Sequence, residues 1–216
     1  MCGEEKNIRG SGTVLPVAIP RIGDYNTGEK NTEEGMPMNK KVKWITCSAA
    51  AIALIVLAQL ATAPLKMQLL TGSLVNLVLA LATLLFGWSV GAAAAVASPF
   101  FAYFLGINAQ IAVVPAIAAG NLTYVLVISL VLKLLRAAKL PEFVRDICAV
   151  AAGAVCKFGI QFLLIVKWIA PAFLPEKAQA VMAVNFGVMQ LFTALIGGAF
   201  ACIIYPVVGK GIKSKN

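Results

Sequence analysis

The chain has 216 residues, of which 60% are hydrophobic and 12% are charged. A soluble domain is about 45–50% apolar and about 25% charged, so this composition excludes an ordinary soluble protein and predicts an integral membrane protein. The formal net charge is +9, but no basic patch is interleaved with aromatic residues, so we expect no nucleic-acid partner.

Residues 1–39 are polar, with mixed charge and no apolar periodicity, and we expect them to form a disordered tail. They have no apolar core following a basic start, so they do not resemble a signal peptide. Met36 and Met38 stand just before the first hydrophobic segment. Two interpretations therefore stay open, a translated tail or a true start at one of these methionines.

Residues 40–216 are predicted to form one membrane domain with six spans. A spanning helix needs roughly 20 mostly apolar residues. The predicted spans, of which the second is short, are about 44–61, 73–86, 89–105, 113–135, 147–169 and 180–208. The tight turn at Gly87-Trp88-Ser89 predicts a hairpin between spans 2 and 3. The predicted fold class is an all-α integral membrane protein with six transmembrane helices.

The distribution of lysine and arginine predicts that both termini are cytoplasmic. With the N-terminus inside, the inner side carries ten basic residues and the outer side carries only Lys66, Lys167 and Lys177. Cytoplasmic loops are enriched in lysine and arginine. Because both termini are basic, the bias also favours an even number of spans.

Lys157 lies near the middle of span 5, where a charge costs about 2.5–3.5 kcal/mol on insertion scales. Gly153, Lys157 and Gln161 are four residues apart and share one helix face. Two interpretations are open, a lysine that lines a polar cavity and a lysine that only joins helices. The first is favoured, because mid-span is too far from either surface for the side chain to reach water.

Further polar residues on the spans could line the same pocket. A single membrane asparagine is often only an interhelical hydrogen bond worth about 1 kcal/mol or less. Several amides together with one lysine instead predict a binding pocket, and the lysine favours a ligand with a carboxylate, phosphate or other electron-rich group. The candidate substrate-binding residues are Gln68, Asn76, Asn121, Tyr124, Lys157, Gln161 and Asn185, with Asn185 and Met189 on one face of span 6. Three outer loops, at 61–72, 106–112 and 170–179, are expected to cover this pocket.

Catalysis is not expected. Histidine is absent, and Glu142 and Asp146 are assigned to an inner loop and Glu176 to an outer loop, so no carboxylate lies in a predicted span. The five cysteines show no Cys-x-x-Cys spacing, and the sequence has no phosphate-binding loop. We therefore expect no catalytic residue, no metal site, no cofactor and no ATPase site.

Span 1 contains Ala49 and Ala53, a small-xxx-small pair suited either to internal packing or to docking a second subunit. With the six spans, the cytoplasmic termini and the missing ATP site, this pair resembles the substrate-binding (S) component of energy-coupling factor (ECF) vitamin transporters. The resemblance covers about residues 40–215. The other residues on which the resemblance rests are Thr71-Gly72-Ser73-Leu74-Val75-Asn76, Gly87, Gly120-Asn121 and the segment from Gly153 to Lys157.

The resemblance implies a subunit in a prokaryotic cell membrane that captures a vitamin from outside. It implies docking through Ala49 and Ala53 on a transmembrane coupling protein driven by two ATPase subunits, and toppling in the bilayer to release the cargo. Family substrates include riboflavin, folate, pantothenate, biotin, thiamine and cobalamin precursors, and no motif here chooses among them. The alternatives are a self-sufficient small-solute permease or channel and a structural membrane subunit.

Overall fold

The computed structural model describes residues 39–65, 67–107, 110–138 and 140–213, and this part of the chain consists of helices joined by short turns, with no strand. The predicted tail lies outside the described residues except for Asn39, whose side chain caps the first helix. The α-helices of the described part are α1 Lys40–Thr62, α2 Gln68–Phe86, α3 Trp88–Phe104, α4 Val114–Leu134, α5 Glu142–Gln161, α6 Ala170–Phe173, α7 Glu176–Asn185 and α8 Val188–Lys213. A π-helix, Phe162–Ile169, joins α5 to α6 without a break.

The architecture confirms the predicted all-α membrane fold. Five helical segments are long and apolar enough to cross a bilayer, namely Lys40–Leu65, Gln68–Phe86, Ile111–Ala137, Glu142–Phe173 and Glu176–Lys210. The sixth, α3, is equally apolar but has 17 residues, at the lower limit for a spanning helix. The cytoplasmic assignment of the termini stays a prediction.

Several of the helix boundaries predicted from the sequence are wrong. Helix α2 begins at Gln68 instead of residue 73, so the short helix is α3 and not the second span. The sixth span is interrupted at Phe186 and Gly187, which separate α7 from α8. A Cβ on Gly187 would lie 2.2 Å from the carbonyl oxygen of Ala183, so only glycine permits this turn. The hairpin at Gly87 is confirmed, because this glycine ends α2 and begins α3 with a φ of +89°.

The assignment of Asp146 to a loop is also wrong. Helix α5 begins at Glu142, directly after Pro141. The Glu142 carboxylate stabilises the helix, because negative charge interacts favourably with the helix dipole at the N-terminus. Asp146 therefore lies within the helix and is only 2% exposed. Arg145 Nε lies 3.9 Å from Oδ1 of Asp146.

The long helices form a closed ring in the order α1, α3, α4, α5, α8 and α2, each packed against the next. Apolar side chains of α2, α4, α5 and α8 fill the end of the ring where α2 finishes, with Leu84, Leu132 and Ala149 among the buried residues. A smaller apolar cluster, including Val113, Ile165 and Phe186, closes part of the opposite end. The two ends of the bundle therefore differ, and the space between these clusters holds the polar residues.

Helix α1 contributes only one face to this ring. Its buried residues, Ser48, Ala51, Ile55, Gln59 and Thr62, recur at helical spacing. Ala49 and Ala53, in contrast, are exposed on the outer surface of the bundle. The small-residue pair is therefore not used for packing within the chain.

Helices α2 and α8 approach each other closely at Gly197, and we expect this position to accommodate no side chain. A Cβ on Gly197 of α8 would lie 2.2 Å from the carbonyl oxygen of Ser73 on α2. We expect Gly197→Ala to lower the free energy of unfolding by about 1–3 kcal/mol, measured by denaturation in detergent, because the two backbones must move apart.

Gly159→Ala is the matched control, since a Cβ there has no atom within 4 Å. It should leave stability unchanged or raise it by up to about 1 kcal/mol through helix propensity. Equal stability of the two variants would contradict the close α2–α8 approach.

Candidate functional site

Lys157 is the centre of the buried polar residues. Its side chain is 1% exposed, and its Nζ donates to Asn76 Oδ1 at 2.5 Å and to Asn121 Oδ1 at 2.7 Å. The three residues come from α5, α2 and α4, so the ammonium group joins three helices. Both acceptors are neutral amides, and no carboxylate among the described residues pairs with Lys157. The lysine is therefore held by neutral hydrogen-bond acceptors alone among the described residues.

Of the two amides that accept from Lys157, Asn76 is itself held in place by a second contact. Asn76 Nδ2 donates to Thr193 Oγ1 at 3.3 Å, and Thr193 Oγ1 donates to the carbonyl oxygen of Gln190 at 3.0 Å, which adds α8 to the network. Such second contacts fix which atom of an amide faces the cation.

Tyr124 and Gln161 support the lysine from the sides. The Tyr124 ring centroid lies 5.5 Å from Lys157 Nζ, within cation–π range, and its hydroxyl donates to the carbonyl oxygen of Ala194 at 3.2 Å. Gln161 Nε2 donates weakly to the carbonyl oxygen of Ile117 at 3.4 Å. Gly120 makes room for Gln161, since a Cβ there would lie 2.2 Å from its Cγ.

A cavity of about 280 Å³ opens from Lys157 toward the end of the bundle where α1 finishes and α2 starts. This volume is at the lower end of the range for small-molecule sites. Lys157 is the only ionisable residue among the described residues that line it. The polar lining residues are Gln59, Thr62, Gln68, Thr71, Asn76, Ser98, Asn121, Lys157, Asn185 and Gln190.

Five of the seven predicted binding residues line this cavity, namely Gln68, Asn76, Asn121, Lys157 and Asn185. Tyr124 and Gln161 are buried beside Lys157 but do not line it. Whether any of the seven binds a ligand stays a prediction. Gln190, not Met189, lies beside Asn185 on the cavity wall, because the break at Gly187 ends the helical register on which the Asn185–Met189 pairing rested.

The wall formed by α1 and α3 was not predicted from the sequence. Gln59 and Thr62 of α1 and Ser98 of α3 all line the cavity. A signal was available for Gln59, which continues the buried spacing of Ala51 and Ile55 on α1. Ser98 had no comparable signal, because the residues around it on α3 are apolar on every face.

The expected covering loops are only partly involved. Ala63, Met67 and Ile107 line the mouth of the cavity, as predicted for the first two outer loops. From the third region, the lining residues are Asn185 and Phe186, which follow α7 rather than belonging to the loop at 170–179. Lys66, Asn108 and Ala109, which also belong to these loops, lie outside the described residues.

The arrangement provides one fixed ammonium group, surrounded by amides and hydroxyls, at the base of a cavity. This is the chemistry of binding a polar molecule, where a few convergent polar groups fix orientation. Comparison of the chain with protein-family models, with curated proteins and with solved structures finds no match. A function for this chain must therefore be inferred from the geometry and chemistry of the site itself.

The acceptors of Lys157 should matter for stability. Asn121→Leu removes one of its two acceptors, and a hydrogen bond to a charged group is worth about 1.5–3 kcal/mol. We expect a loss of that size in the free energy of unfolding, measured in detergent.

Thr123→Val is the control on the same helix, because the Thr123 hydroxyl bonds only to the Ala119 carbonyl one turn earlier. It should change stability by less than about 1 kcal/mol. The double variant Asn121→Leu, Lys157→Met should recover part of the loss. Full additivity of the two single changes would contradict the proposed coupling.

Proposed function

We propose that this chain is the membrane-embedded substrate-binding subunit of an ECF-type importer, which captures a vitamin or related micronutrient from outside. In this proposal the chain has no ATPase site of its own. It docks on a transmembrane coupling protein that two ATPase subunits drive, in the cell membrane of a prokaryote. The observation that carries the proposal is the polar cavity with Lys157 at its base, beyond which the described bundle is packed mainly with apolar residues.

The closed base of the cavity favours a binding subunit over a permease or channel. Below Lys157 the ring is filled by buried apolar residues, including Leu79, Ile128 and Val150. Thr83 and Asp146 are also buried in this half of the described bundle, but the cavity reaches neither of them. Release on the other side then requires a large movement, which is what a partner driven by ATPases supplies.

The cavity also favours a binding subunit over a purely structural one. A lysine that only joins helices needs its acceptors, which Asn76 and Asn121 provide. It does not need a 280 Å³ space bordered by seven more polar residues. Burial of so much polar surface around a space is costly unless a molecule fills it and makes hydrogen bonds.

The charge of the site favours an acidic or electron-rich ligand. Lys157 has three N–H groups, of which two are used by Asn76 and Asn121. The third is available to a carboxylate or phosphate oxygen of the ligand. A charged hydrogen bond of this kind is about twice as strong as a neutral one.

The outer face of α1 supports docking. Ala49 and Ala53 are exposed on the bundle surface one turn apart, and Ala50 lies beside them. Small side chains let a second helix approach closely, and in lipid such packing drives helix association. Placing α1 at the contact leaves its opposite face, which carries Gln59, against the cavity.

Replacing Lys157 by alanine should weaken ligand binding at least tenfold, or about 1.4 kcal/mol, because the site loses its only charge. The measurement is mass spectrometry of the small molecules that stay bound to purified protein, with wild type beside the variant. Thr123→Val serves as the control, since its side chain does not line the cavity. Equal retention by Lys157→Ala would remove the lysine from the site.

Ala49→Trp and Ala53→Trp should block uptake while leaving binding unchanged, because a bulky ring keeps the coupling helix away. Uptake of the compound identified above is measured in cells that supply the partners. Leu130→Trp, at an exposed position of α4, is the control and should transport normally. Uptake that survives both alanine substitutions would argue against α1 as the docking face.

Flux into liposomes that contain the chain alone, without ATP or partners, would instead support the permease. A wild-type protein that retains no small molecule and mediates no flux would support the remaining alternative, a structural subunit.

A further inference from the structure

Two buried oxygens in the cavity wall have no hydrogen-bond partner among the described residues. They are Gln59 Oε1 on α1 and Ser98 Oγ on α3. Gln59 is 8% exposed and Ser98 is 1% exposed, and both border the cavity. A polar atom buried without a partner destabilises the folded state, so such groups are rare unless something else provides the bond.

The described bundle contains both paired and unpaired buried hydroxyls, and of the unpaired ones, Ser48, Ser73 and Ser98, only Ser98 borders the cavity. A hydroxyl within a helix commonly donates to the carbonyl four residues earlier. The hydroxyls of Thr62, Thr83 and Thr123 do so, at distances of 2.7–2.9 Å. Ser98 does not, and it is placed beside the cavity instead.

The position of these two residues complements that of Lys157. In the ring of helices, α1 stands opposite α5, with two helices between them on either side. The cavity therefore has a donor, Lys157 Nζ, on one wall. It has an unpaired acceptor, Gln59 Oε1, on the other, with Ser98 on the neighbouring helix.

The cavity of about 280 Å³ lies at the small end of ligand sites, so a compact molecule can contact both walls.

We infer that Gln59 and Ser98 form a second recognition point, which accepts an O–H or N–H group of a molecule whose acidic group binds Lys157. This rests on the proposed function and narrows its substrate class to compact hydroxy- or amido-acid anions. Gln59 Oε1 accepts the ligand proton, and the Ser98 hydroxyl accepts or donates according to the ligand atom it meets. The cavity thereby selects for two groups at a fixed separation instead of for negative charge alone.

The test uses the full chain in detergent, with yeast extract as the probe. Wild type, Gln59→Leu and Ser98→Ala are incubated with the extract and freed of unbound material, and the retained compounds are measured by mass spectrometry. Ser48→Ala is the matched control, because the Ser48 hydroxyl is also buried and unpaired but does not line the cavity. We expect wild type to retain an acid of the stated class, both cavity variants to retain at least tenfold less, and the control to match wild type.

Folding is checked without ligand. Neither cavity substitution breaks an existing hydrogen bond, and replacing an unpaired buried oxygen by an apolar group is close to neutral or stabilising. Both variants should therefore unfold at the wild-type temperature. A second measurement changes the ligand instead of the protein: the retained acid, methylated on its O–H or N–H group, should bind wild type at least tenfold more weakly and Gln59→Leu no more weakly than the parent acid does.

The outcomes separate this inference from the proposed function. A loaded wild type whose retention is unchanged in both cavity variants, or a retained compound with no O–H or N–H group, would overturn the second recognition point only. An empty wild type would overturn the proposed function as well.

Discussion

The ammonium group of Lys157 imposes the main constraint on this bundle. A charge buried among apolar helices needs acceptors, and here they come from Asn76 and Asn121 on two other helices. Thr193 on α8 then holds Asn76. Four helices are thereby tied at one level of the bundle, and their mutual positions follow from satisfying one cation.

That level divides the bundle into two halves with different roles. Toward the end where α2 finishes, apolar residues such as Leu79 and Ile128 pack without a polar gap. Toward the other end, the same helices carry amides and hydroxyls around a cavity. The close approach of α2 and α8 at Gly197 lies beside Ser73 and Asn76, so it holds these two helices together at the level of Lys157. A cavity closed at its base is suited to holding a molecule, and this is why the proposed subunit needs a partner for release.

The two interruptions of the long helices both lie near the cavity end. The π-helix Phe162–Ile169 follows Gln161, and the break at Phe186 and Gly187 places Asn185 and Phe186 on the lining. Irregular backbone at membrane depth is tolerated where it is buried in protein or borders a cavity. Helix α1 has one face on the cavity and the other on the outer surface of the bundle. The first face carries Gln59, and the second carries Ala49 and Ala53.

The sequence by itself determined the membrane class, the number of spans and the special position of Lys157, because apolar length and a charge within it are local properties. It could not determine which amides meet that lysine: Asn76 lies 81 residues away and Asn121 36 residues away, so their contact depends on helix packing. Only the tertiary structure decided that α1 and α3 form a wall of the cavity. A lone Ser98 in an apolar segment carries no sign of which face its helix turns inward, and that direction is set by how six helices close into one ring.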